Sequence, residues 1–176
     1  KIVKCEGKFP SVMFSFRSNI IANRLINKYN IATRKSLTLK PPKNIPKNLL
    51  FHFYRGYFDG DGSLFYTKLI NRSYNPKYKA FGFSLIGTKK FLISFKKWAE
   101  KNIDITMKVK QRSKYKSGKV IHNPRTYFIN INGNKNSEKL MTLLYKNAKI
   151  FLSRKCKIYK NLLQYNKNYK GFFKKS

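Results

Sequence analysis

Apolar and polar positions alternate from Phe9 to Arg17, with Val12, Phe14 and Phe16 on one side, which is the period of a strand. Ser18 then offers an N-cap. Ile20, Ile21, Leu25 and Ile26 recur at helical spacing, so a helix is expected to end near Tyr29 and Asn30. An extended piece over 35–40 runs into Pro41, Pro42 and Pro46, the composition of a linker at 41–47. Beyond it the pattern predicts a helix over 48–58, closed by Asp59-Gly60-Asp61-Gly62. Strands over 63–72 and 78–86 follow, joined by a turn holding Asn75-Pro76. Thr88 caps a helix over 89–101 whose buried stripe is Phe91, Leu92, Phe95 and Trp98. Strands over 105–112 and 126–132, linked by a polar basic loop around Ser117-Gly118, precede helices over 137–146 and 152–165. A basic tail closes the chain over 167–176.

From residue 48 the order is helix, strand, strand, helix, strand, strand, helix, helix. Two hairpins making one sheet, with helices on one side, define an α+β domain over 48–166. Residues 1–40 read as the end of an earlier copy of the same unit.

Charge changes the picture from fold to partner. The chain has 176 residues with 40 Lys or Arg and 6 Asp or Glu, a net charge of +34. Such an excess resists compaction and attracts polyanions, above all nucleic acid, whose counterions are released on binding. An AT-rich coding sequence explains part of the Lys excess but not the missing acids. With 41% apolar and 16% aromatic residues the chain can bury a core, which excludes a disordered polycation. Cys5 and Cys156 are too few for a zinc set or a disulfide framework, so a reducing compartment is expected. No apolar run reaches membrane-span length, and the Lys at position 1 suggests a processed or partial chain.

Two of the six acids, Asp59 and Asp61, stand two residues apart in Phe53-Tyr54-Arg55-Gly56-Tyr57-Phe58-Asp59-Gly60-Asp61-Gly62-Ser63. Gly56 and Gly60 share one helix face, which lets another helix backbone come close, within the domain or from outside it. The acids either end the helix as solvated caps, or Asp61, placed past the helix end with neighbouring carbonyls, offers hard oxygen ligands to Mg²⁺. The two readings stand level on spacing alone.

This segment resembles the signature helix of the LAGLIDADG homing endonucleases, with Tyr54 to Gly62 in the nine motif positions. Gly56, Asp59, Asp61 and Gly62 match, and Gly60 is a common variant. Tyr54, Arg55 and Tyr57 depart from the eponymous letters, within a familiar RGYFDGDGS form. The downstream order resembles the family's αββαββα core, and Leu143–Ala148 with Leu152–Lys155 resembles its terminal helices. The likeness implies a four-stranded antiparallel saddle sheet with helices on one face. It also implies Asp61 and the Gly62 carbonyl as Mg²⁺ ligands, Asp61 and Lys155 as catalytic residues, and Gly56, Gly60 and Asp59 at a helix interface.

The family's sheet lies along the major groove of duplex DNA, so basic strand residues become candidate contacts. Lys108, Lys110 and Arg112 alternate with Met107, Val109 and Gln111. Arg72, Lys77 and Lys79 flank the first hairpin turn and are expected on phosphates, with Thr67 and Asn71 on base edges. Lys114, Lys116, Lys119 and Arg125 surround the second hairpin turn and are expected to track the backbone. A solvated basic face is the plain alternative for Lys108, Lys110 and Arg112. His52, His122 and Trp98 read as packing or loop residues.

The resemblance implies a Mg²⁺-dependent, site-specific DNA endonuclease acting on a long duplex, in an organellar matrix. The chain carries one motif, so a second must come from an upstream repeat or a second chain. The alternative is a catalytically silent RNA-binding relative, an intron maturase or a subunit of an organellar ribonucleoprotein such as a mitochondrial ribosome.

Overall fold

The computed structural model describes residues 2–5, 11–14, 17–29, 38–41, 43–68, 79–116 and 119–169, with strand residues 2–5, 11–14, 68, 114–116 and 119–125, and residue 169, in backbone only. Strands β1 (Ile2–Cys5) and β2 (Ser11–Phe14) pair antiparallel. β2 falls within the segment read as a strand over 9–17, and β1 has no counterpart in the sequence pattern. Helix α1 (Asn19–Asn27) starts as expected, with Ser18 Oγ accepting the Ile21 N–H at 3.3 Å. None of its residues is buried, so Ile20, Ile21, Leu25 and Ile26 remain exposed.

Leu39 lies in the same core as the domain that follows, and its carbonyl accepts from Thr88 Oγ1 at 2.5 Å. A single 3₁₀ turn (Lys47–Leu49) leads into α2 (Leu50–Asp61). Then come β3 (Gly62–Lys68), β4 (Lys79–Gly87), α3 (Lys89–Asn102), β5 (Val109–Lys116), β6 (Lys119–Asn132), α4 (Asn134–Tyr145) and α5 (Ser153–Tyr169). The sheet order is β3-β4-β6-β5, antiparallel throughout. This is the α+β architecture read from the sequence.

Register explains the core. Leu64, Phe81, Phe83, Leu85, Ile129 and Ile131 are all buried and share one face, because strand side chains alternate with period two. The helices cover that face with Phe58, Phe91, Leu92, Phe95, Leu140, Met141 and Leu144. Phe58 stacks on Phe83, their ring centroids 4.7 Å apart, and Tyr54 meets Phe95 edge-on at 5.2 Å. Trp98 packs 4.6 Å from Tyr54, as its helical spacing foretold.

Several boundaries depart from the expectation, among them the start of β5 at Val109 rather than 105 and the end of α5 at Tyr169 rather than 165. α2 runs three residues further, through Asp61. The β5–β6 hairpin extends through the segment read as a basic loop, and its register slips between Gln111 and Ser113. Pro124 falls inside that irregularity, where a missing N–H costs the ladder nothing. α4 starts at Asn134 because Gly133, at φ 101°, turns the chain as only glycine does readily. Asn134 pins the new helix, accepting from the Phe81 N–H at 2.8 Å and donating to the Lys79 carbonyl at 3.0 Å.

Candidate functional site

The motif helix α2 is the hub. Its inner face is Tyr54, Arg55 and Phe58. Tyr54 OH bonds Ser94 Oγ at 3.0 Å, and Tyr57 OH donates to the Ile86 carbonyl at 2.8 Å. Burial raises both phenol pKa values, helped at Tyr57 by the Asp61 charge. Arg55 is 5% exposed and donates from Nη1 to the Leu144 carbonyl at 3.2 Å and from Nη2 to His52 Nδ1 at 2.5 Å. A cation suits that place, because the carboxyl end of α4 carries unpaired carbonyls and negative dipole charge.

At the carboxyl end of α2 the structure corrects two expectations. Asp61 is the last helical residue rather than one beyond it, and it is exposed. Gly62 caps the helix, its N–H reaching the Phe58 carbonyl. Lys155, implied as a cation at the cleavage centre, is 1% exposed beneath this helix end. Its Nζ donates to the carbonyls of Phe58 at 2.5 Å, Asp59 at 3.0 Å and Gly62 at 2.5 Å, and lies 4.6 Å from the Phe58 ring centroid. An ammonium has three donors, and all three are engaged. Burial first, then the Arg154 charge, hold its pKa down at about 8 against the opposite pull of Asp59 and Asp61. Lys155 therefore clamps a helix end and has no donor left for a phosphate.

The same clamp removes Gly62 from the metal-ligand set. A divalent cation at that carbonyl would face the Lys155 charge directly. Among the described residues no three acidic, His or Cys side chains gather into a metal group. Asp61 alone fits as one of the one or two carboxylates that Mg²⁺ takes from a protein.

Asp59, implied by the resemblance at a helix interface with Gly56 and Gly60, is bound within the domain instead. Its Oδ1 accepts from Tyr145 OH and its Oδ2 from the Leu152 N–H at 3.1 Å. Burial, then Asp59, push the Tyr145 phenol pKa up. Leu152 caps the start of α5, so Asp59 sits at the positive end of that helix. α2 and α5 thus cap each other, an acid at one amino end and a lysine at the other's carboxyl end.

On the outer side of α2, a Cβ added at Gly56 or Gly60 would meet nothing within 4 Å. Gly56 borders an open cleft of about 590 Å³ shared with His52, Ile150, Phe151 and Leu152. Ile150 is 85% exposed. This face is bare, shallow and apolar, the shape a second helix backbone needs.

The sheet's other face is open. Register puts Phe65, Gly82 and Asn132 in one row, Ser63, Ser84 and Asn130 in the next, and Ile86, Phe128 and Lys110 in a third. Thr67, opposite Ala80, shares this face and is exposed. Lys108, Lys110 and Arg112 are exposed while Met107 is buried and Val109 half-buried, so the alternation holds. Lys79 does not belong to this surface. It shares the helix-side face with Phe81, its ammonium 5.2 Å from the Tyr66 ring centroid. Asn71, Arg72 and Lys77 lie outside the described residues. Lys114, Lys116 and Lys119 are placed by backbone pairing alone, and Arg125 lies in the irregular stretch of β6. The Asn130–Asn132 pair was missed, although its alternation with Ile129 and Ile131 was readable in the sequence.

Fold and site together define an α+β domain with a four-stranded antiparallel sheet, built on one acidic glycine-bearing helix. The sequence matches no known protein family and no curated protein. Among solved structures, the chain is similar to the homing endonuclease I-CvuI in complex with its target in the presence of calcium, at 15% identity and TM-score 0.47. That match covers 67% of this chain and 66% of the other, just short of two thirds of the neighbour's length. It is also similar to the homing endonuclease I-TnaI (12% identity, TM-score 0.47, 70% and 76% covered). An archaeal intron-encoded homing endonuclease, I-Vdi141I, complexed with DNA, is a further neighbour (16%, 0.47, 74% and 72%). At such identities the likeness concerns the fold alone.

Proposed function

We propose that this chain is one half of a homing-type, site-specific DNA endonuclease that hydrolyses phosphodiester bonds in a long duplex. The observation that carries the reading is Asp61, exposed at the end of a helix whose Gly56–Gly60 face is bare. A second motif helix, from an upstream repeat or another chain, would lie on that face and bring a second carboxylate beside Asp61. Mg²⁺ held between such carboxylates would supply an activated water and charge stabilisation at phosphorus. The open sheet face, with Lys110 and Arg112 on β5 and Lys108 just before it, holds the duplex, and the clamped end of α2 fixes where Asp61 stands.

The alternative, a silent RNA-binding relative in an organelle, draws on a different observation. Lys155, whose ammonium feels the Asp61 charge, is committed to three backbone carbonyls, which leaves it no donor for a phosphate.

The test is selection of duplex targets, then cleavage with Mg²⁺ beside binding with Ca²⁺. Asp61→Asn is expected to abolish cleavage and leave binding intact. Unchanged cleavage by that variant would remove Asp61 from the chemistry. Tight binding of structured RNA, with no duplex cleaved by the wild type, would select the alternative.

A further inference from the structure

Phe65 stands on the open face of the sheet, where the cores of antiparallel sheets place polar residues. Its cross-strand partner is Gly82, and a Cβ built there would lie 2.6 Å from Phe65 Cζ. The ring therefore leans across β4 and occupies the space that a side chain at position 82 would take. It is nonetheless 40% exposed, about what remains when one face of a ring is covered and the other is bare. Covering a glycine explains why the ring lies down. An aromatic ring is the usual cover for such a glycine, and here its outer face is left bare to solvent.

The surroundings supply what a flat apolar platform lacks. Ser63, Ser84, Asn130 and Asn132 occupy the same face within the same two rows, all with donors and acceptors. Lys110 stands on the outer strand β5, three strands across from Phe65 and two rows along, or about 20 Å at the usual strand and residue spacings. Phosphates tracked along β5 would leave their bases pointing over β6 and β4 toward the ring.

We propose that Phe65, lying on Gly82, is a stacking platform for an unpaired nucleobase, with Asn132 and the Ser63–Ser84 row beside it to meet the base edge. The ligand is single-stranded nucleic acid, or a strand locally freed from its duplex. A base still paired within a duplex keeps both faces stacked on its neighbours and offers only an edge to a groove-binding sheet. Stacking on an aromatic side chain is how proteins hold bases that have left the stack. The proposal rests on the open face being the nucleic-acid face, and it adds to that reading a strand state and a residue.

The experiment compares wild type, Phe65→Leu and Phe65→Tyr for binding of a mixed-sequence single-stranded RNA, its DNA counterpart, and the blunt duplex. Phe65→Leu should weaken single-strand binding about fivefold to a hundredfold, the range of one base–aromatic stack. It should leave duplex binding within about twofold, and Phe65→Tyr should restore the loss. The RNA and DNA arms show whether the sugar contributes. Equal loss on duplex and single strand, or no loss on either, overturns the stacking role. Duplex binding without any single-strand binding overturns it too, while leaving the endonuclease reading intact. If Phe65→Leu does not fold, wild type is irradiated with an oligonucleotide carrying 5-iodouridine. A cross-link mapped to Phe65 supports the platform, and cross-links confined to other peptides overturn it.

Discussion

Lys155→Ala is the sharpest test of how the motif helix is held. The substitution empties a site that is 1% exposed and withdraws the donor from three carbonyls. The Phe58 carbonyl keeps the Gly62 N–H, so two carbonyls, those of Asp59 and Gly62, lose the donor this clamp supplied. Truncating a long buried side chain costs about 2–5 kcal/mol, and each buried carbonyl left unpaired adds about 1–3 kcal/mol. Relief of a desolvated ammonium returns several kcal/mol, leaving a net loss of about 3 kcal/mol. In a chain of this size that lowers Tm by roughly 10 °C. Lys155→Met keeps most of the stem and loses only the charge-assisted bonds, so about half the loss is expected. Thermal denaturation followed by circular dichroism reads both variants. If Lys155→Ala melts within about 2 °C of wild type, the clamp is worth little and the reasoning fails. If it does so while abolishing cleavage, Lys155 is a catalytic cation after all.

The two glycines near the helix end should behave oppositely. Gly60→Ala meets open space and should gain about 0.5–1 kcal/mol in the isolated chain, whereas Gly62→Ala drives a methyl into the Phe58 ring and carbonyl and should lose about 1–3 kcal/mol, both read by urea denaturation. Replacing Lys108, Lys110 and Arg112 by Ala should reduce the salt slope of duplex binding by about 0.9 for each phosphate left without its cation, and an unchanged slope would place the phosphates on other residues. Glu100 gives the pH prediction. Burial pushes its pKa up, but hydrogen bonds from Lys96 and the Met107 N–H outweigh it, so the net shift is downward from 4.5. A depressed folded pKa means stability fully present above the ordinary value and lost as pH falls through the lowered one, so Glu100→Gln should flatten the acid limb of a stability–pH curve.

What was legible in the sequence follows from where the determining contacts lie. Thr88 and the Phe91–Leu92–Phe95 stripe are local signals, and the cap and burial of α3 follow them. The end of α2 was misplaced because Gly60 and Gly62 are local stop signals. The helix runs on to Asp61 where Lys155, 97 residues beyond Phe58, holds its last carbonyls. No spacing rule can carry that information. The β5–β6 hairpin was shortened for a different reason. Residues 113–125 show no apolar alternation, and Pro124 argues against a strand unless a bulge receives it. The motif itself was legible as residue types, but which of its acids faces solvent was decided by Tyr145 and Leu152, from a different part of the chain.

The scarcity of acids and the way they are used form one design. Asp59 is bound by Tyr145 and Leu152, Glu100 by Lys96 and Met107, Asp104 by Lys139, and Glu138 by Asn166. Each of these joins elements on the helix side of the sheet or at its edge. The open face carries Ser, Thr, Asn, Lys and apolar side chains, with no acid among the described residues. A carboxylate there would face the phosphates that the +34 chain attracts. Acids are thus kept where they neutralise helix ends and fix packing, off the face that carries the exposed cations of β5. Asp61 is exposed and stands at the end of the bare glycine face. An exposed acid near bound phosphate is repelled by the ligand and lowers affinity, so its position makes sense where a cation comes between the two.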